Sequence, residues 1–162
     1  MSNVRPQMEP INASANIVEG ADIVAPAAPP STYIGVAENL LPGVRVLADT
    51  PDTRGMPLAL VSAHVLECLL KAFLSKALGS DTPLTKDPKL RHNLLALWSL
   101  AQQKGLALPA QTPSWVECLS GLHDYPFYLR YSTGVHVIIS PAAEPMASDL
   151  QQLLGFVKSA VQ

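Results

Sequence analysis

His64, Glu67, Lys71 and Ser75 recur at spacings of three, four and four along an otherwise apolar stretch, so in a helix they share one face. Glu67 precedes Lys71 by one helical turn, an order in which carboxylate and ammonium pair for roughly 0.2 to 0.5 kcal/mol when exposed. Joined by His92, this line could form a polar groove in a ligand cleft or a dimer. The plainer alternative is a solvated or structurally paired face. His64, His92, His123 and His136 come singly, with no His-Glu-x-x-His and no Cys-His set, so no metal is expected, and His123-Asp124 reads as a cap beside a helix end. A Gly-rich phosphate loop and a serine nucleophile elbow are both missing, and no cofactor is expected. Cys68 and Cys118 each lie in an apolar helical pattern and read as reduced, buried thiols.

Four helices are needed to position these groups. The longest runs from Pro57, acceptable in a first helical turn, to Gly79, suited to a left-handed C-terminal cap. Val61, Val65, Cys68, Leu69, Ala72 and Phe73 form its main stripe, and Leu66, Leu70 and Ala77 widen it, so the helix must be covered on most sides. After a loop over 80–86, Asp87-Pro88 opens a second helix carrying Leu90, Leu94, Leu97, Trp98 and Ala101 and ending at Gly105. A third begins near Thr112-Pro113, with Ser114 and Glu117 at capping-box spacing and Trp115, Cys118, Leu119 and Leu122 toward the core. Phe127 to Tyr131 and Val135 to Ile139 are β-prone runs about Ser132-Thr133-Gly134, predicting a hairpin. Ser140-Pro141 then opens the last helix.

The first third is different. Pro26 to Pro30 punctuates a region without sustained period, and Tyr33-Ile34-Gly35-Val36 and Val44-Arg45-Val46-Leu47 flank a Pro42-Gly43 turn signal. This predicts a Pro-rich arm over 1–56, with short β pieces, strapped onto a bundle over 57–162. Composition sets further limits. Eleven basic and thirteen acidic residues give a formal charge of −2, which excludes a global basic field for nucleic acid, so any RNA contact must be local. With 48% hydrophobic residues the chain folds, but no apolar run reaches about 18 residues and no membrane span is expected. The opening residues, Met1 to Pro6, lack the apolar stretch of a secretory signal, and the expected location is the cytoplasm.

Leu66-Glu67-Cys68-Leu69-Leu70-Lys71-Ala72-Phe73-Leu74, then Arg91-His92-Asn93-Leu94, then Leu129-Arg130-Tyr131, together resemble the HEPN superfamily of helical domains (higher eukaryotes and prokaryotes nucleotide-binding). Its members typically show Glu-x-x-Leu-Lys-Ala-x-Leu, a His-Asp-Leu opening the next helix, and an Arg-Tyr pair after the third. Here Asn93 replaces the Asp. The resemblance covers Pro57 to Gln162. It implies a mainly α fold, a HEPN-like four-helix up-and-down bundle, here with a small β-hairpin and an extended Pro-rich N-terminal arm, and often a dimer.

Active HEPN ribonucleases use Arg-x(4 to 6)-His, the Arg stabilising phosphate charge and the His moving a proton. The resemblance therefore implies Arg130 and His136 as a catalytic pair, six positions apart. Tyr131 stands where a polar residue is common, Gly134 interrupts the segment, and in extended chain about 20 Å would separate the pair unless a turn folds it back. The leading expectation is thus a HEPN-like dimerisation or binding module for a nucleotide, RNA or protein partner, with His64, Glu67, Lys71, His92 and Tyr131 as binding residues. The alternative is a metal-independent endoribonuclease using Arg130 and His136. A homodimer through the long helix is expected from its wide apolar surface.

Overall fold

The computed structural model describes residues 28–131 and 139–162. Among them are six α-helices, one short 3-10 turn over Pro51–Thr53, and no strand. The helices are α1 (Ser31–Asp49), α2 (Met56–Leu78), α3 (Thr82–Lys86), α4 (Leu94–Gln103), α5 (Ser114–His123) and α6 (Ala143–Val161).

The expectation of an extended, β-containing arm is overturned at α1, and the four-helix count with it. Tyr33–Val36 and Val44–Leu47 belong to one 19-residue helix with Pro42 inside it. Ala37, Leu41, Val44 and Ala48 recur at four, three and four residues, and all four are buried. That stripe outweighs the Pro-Gly signal. Pro42 is exposed, and its missing N–H leaves the Glu38 carbonyl without its usual intrahelical donor. The C-terminal carbonyls find side-chain donors instead: Arg54 Nε donates to Ala48 O at 2.6 Å and the Thr53 hydroxyl to Leu47 O at 2.9 Å. Tyr33 donates to Asp81 Oδ2 at 3.1 Å and ties the start of α1 to the start of α3.

α2 is the central element and runs between the expected punctuation marks. Pro57 lies in its first turn, and Gly79 at φ 70° closes it by donating to Lys76 O. Fifteen of its 23 residues are buried, on every side of the helix, because α1, α4, α5 and α6 pack around it. Its apolar circumference is absorbed within the chain, so the wide stripe demands no second copy. One 18-residue window has mean hydropathy 1.6, long and apolar enough to cross a bilayer, yet 83% of that window is buried inside the protein.

The remaining differences are local. Residues 82–86, expected as loop, form α3. The Asp87-Pro88 segment makes turns, with Asp87 Oδ1 accepting from Lys89 N at 2.9 Å, and the next helix waits for Asn93, whose side chain accepts from Ala96 N at 2.9 Å. In α5 the Ser114–Glu117 capping box does not form. Trp115, Val116 and Leu119 are buried there, while Cys118 and Leu122 are only half-buried. The first arm of the expected hairpin is a series of turns: Arg130 N and Tyr131 N donate to Phe127 O at 2.9 and 3.0 Å. The second arm lies outside the described residues except for Ile139, which is in no strand. Consecutive hydrogen bonds back to Phe127 use the donors a ladder would need.

Candidate functional site

The line of polar residues on α2 faces inward rather than outward at its centre. Glu67 is 4% exposed and Lys71 5% exposed, and Lys71 Nζ donates to Glu67 Oε1 at 2.6 Å and to the Arg91 carbonyl at 2.7 Å. The segment before α4 brings His92 Nδ1 to 3.2 Å from Glu67 Oε1 and 3.4 Å from Oε2. The end of α5 brings His123 Nε2 to 2.6 Å from Oε2. One carboxylate thus receives three cationic or imidazole partners from three parts of the chain.

Burial by itself would push the Glu67 carboxyl up. The His123 hydrogen bond and the Lys71 charge outweigh it and hold the group down at about 2. Burial lowers the pKa of both His64 and His92, against the pull of Glu67. His123 Nε2 faces the Glu67 carboxylate, and its Nδ1 is buried without a partner. His92 Nδ1 also lies 3.4 Å from Arg130 Nη2. This nitrogen either donates to Glu67 or accepts from Arg130, so the His92 tautomer decides which neighbour it serves.

Arg130 and His64 stand at the mouth. With Leu40, Leu60, Val61 and His123 they line a cleft of about 290 Å³ whose walls are mainly apolar. Arg130 is exposed and has no acidic partner among the described residues. Beside it Phe127 takes φ 65°, a left-handed conformation costing about 1 to 3 kcal/mol for a side-chain-bearing residue. Its ring then packs edge-to-face on His92 at 5.8 Å, on Tyr125 at 6.0 Å and on Tyr131 at 6.3 Å. Tyr125 is 82% and Tyr131 58% exposed.

Of the residues singled out in the sequence, Glu67, Lys71 and His92 therefore meet in one network, His64 and Arg130 flank it, and Tyr131 joins through Phe127. His136 lies outside the described residues. His123 was missed as a member: it stands four residues after Leu119, on the buried side of α5, which periodicity could have revealed. Cys68 lies among the core residues, and burial pushes its thiol up to about 12, an unreactive state.

The histidines that are solitary in sequence are brought together by the fold. Glu67, His92 and His123 offer three ligand atoms within 4.8 Å of one another, a donor set suited to zinc or iron. The charge around it is wrong for a cation. Lys71 already holds one carboxylate oxygen at 2.6 Å and Arg130 adjoins His92, so a divalent ion would face two fixed positive groups. No protein-family model matches the chain, and no curated protein or solved structure is found that matches it.

Proposed function

We propose that this chain is a helical binding module for single-stranded RNA or a nucleotide, with its site at the cleft mouth around Arg130. The observation that carries the reading is an exposed guanidinium, free of any acidic partner among the described residues, in the same turn segment as two exposed tyrosines. Arg forks match phosphate oxygens, and exposed aromatic faces stack unpaired bases. The buried network beneath serves the site by fixing the position of His92, on which the Phe127 ring packs. This agrees with the binding role that the HEPN resemblance implies. With a net charge of −2, such a contact has to be local.

The test is fluorescence anisotropy with a labelled oligoribonucleotide. Binding is expected to weaken on Arg130→Ala and on Tyr131→Ala, with a shallow salt dependence of about one or two phosphates neutralised. Equal binding by all three proteins would overturn the reading. The endoribonuclease alternative requires Arg130 together with His136: cleavage that survives chelator and disappears in both Arg130→Ala and His136→Ala would replace the binding module with that enzyme.

A further inference from the structure

A second pocket, built from α4, α5 and α6, has a chemistry unrelated to the Glu67 network. It measures about 130 Å³ and is walled by Trp98, Trp115, Leu153 and Phe156, with Asp149 among its lining residues. The indole rings of Trp98 and Trp115 stand at 86° to one another with centroids 6.3 Å apart, so they meet at a corner. Asp149 and Phe156 are seven residues apart on α6, two helical turns, and so lie on the same side of that helix. Trp115 Nε1 donates to Asp149 Oδ2 at 2.9 Å, which fixes the carboxylate beside the rings, and Asp149 has no basic partner among the described residues.

We infer that this pocket binds a small organic cation, an alkylated ammonium. Each part of that ligand answers a feature of the pocket. Indole and phenyl faces attract a poorly hydrated cation through their negative quadrupole, most strongly for tryptophan. The Asp149 carboxylate selects positive charge over an equally bulky neutral group. The volume sets the size, because a cavity of about 150 Å³ holds a molecule the size of benzene. The pocket is separate from the Arg130 cleft in residues and in charge preference, so the two readings stand or fall independently.

The experiment uses the full chain with choline, its uncharged carbon isostere 3,3-dimethyl-1-butanol, and tetramethylammonium, followed by tryptophan fluorescence and calorimetry. Choline is expected to bind roughly tenfold more tightly than the neutral isostere, and Asp149→Asn to erase that preference while an amide oxygen still accepts from Trp115. Tetramethylammonium, which keeps the cationic head, is expected to share choline's preference over the neutral isostere. Equal affinity for choline and the neutral alcohol, or no binding of choline at millimolar concentration, would overturn the proposal. Should Asp149→Asn fold poorly, the comparison of choline with its isostere on the unaltered protein decides alone.

Discussion

Glu67 and His123 are 56 residues apart in the chain, yet Glu67 Oε2 and His123 Nε2 lie 2.6 Å apart in the core, with both side chains almost fully buried. This contact locks the end of α5 to the middle of α2. It also sets the state of the cluster, because the carboxylate is kept ionised by partners rather than by water. Removing one side of such a contact leaves the other buried and uncompensated.

Glu67→Ala is therefore expected to destabilise the fold by about 3 to 5 kcal/mol, the usual cost of breaking a buried ion pair from one side. It leaves the Lys71 ammonium without its carboxylate. His123→Ala should cost less, since Lys71 and His92 still satisfy Glu67. In a double-mutant cycle read by urea denaturation, the two losses should be far from additive. Additive losses, or an alanine at 67 costing under about 1 kcal/mol, would show that the network contributes little.

Stability should fall with acid in two stages. His64 and His92 have folded pKa values below their ordinary 6.5, so the unfolded chain takes up their protons first as the pH drops through that value. Glu67 follows: its contribution is complete above the ordinary carboxyl value of 4.5 and is lost as the pH approaches about 2. The groups facing Glu67 are Lys71, His92 and His123, and Arg130 adjoins His92. Urea midpoints measured from pH 7.5 to 3 should decline throughout, and Glu67→Gln should flatten the part below 4.5. A midpoint that stays level down to pH 3 would contradict both stages.

The ends of α2 were legible because Pro57 and Gly79 act locally, one by preset φ and one by its tolerance of the left-handed region. The start of α4 was misplaced, because Asp87-Pro88 offers an equally local cap signal while the helix opens at Asn93. α1 was not legible, because Pro42-Gly43 is a local turn signal and what overrides it is the burial of Ala37, Leu41, Val44 and Ala48 against other helices. The candidate site was half legible. Spacing put His64, Glu67 and Lys71 on one face, but the partners of Glu67 come from 25 and 56 residues away, and no local pattern fixes such a meeting. His123 stood on the buried stripe of α5 and was assigned to a helix end because Asp124 follows it.

Lys71 decides whether the cluster can hold a metal. Its Nζ satisfies Glu67 Oε1 and supplies the positive charge that a metal would otherwise provide. Lys71→Met removes that charge with a side chain of similar length and leaves one carboxylate and two imidazoles within 4.8 Å. This variant is expected to melt below the parent protein in chelator and to recover on adding zinc, while the parent is unmoved by either. Because metal binding adds to folding free energy, the recovery should grow with zinc concentration. A variant indifferent to zinc would mean that the three ligand atoms cannot close on an ion.

The decisive test of α1 is its removal. As a strap, the segment before Thr50 could be deleted with a modest loss of stability or solubility. As a core helix it cannot, because Leu41 and Val44 are each buried and a side chain of this kind contributes about 1.5 to 3 kcal/mol. Deletion also uncovers the side of α2 that α1 covers, and the Tyr33–Asp81 bond at the other end. The summed loss is comparable to the whole stability of a domain, about 5 to 15 kcal/mol. A chain starting at Thr50 should therefore be unfolded or aggregated, whereas Pro42→Ala in the full chain should raise the urea midpoint by restoring a donor to the Glu38 carbonyl. A truncated chain that keeps full helicity per residue and a cooperative melt would show that α1 is dispensable to the core after all.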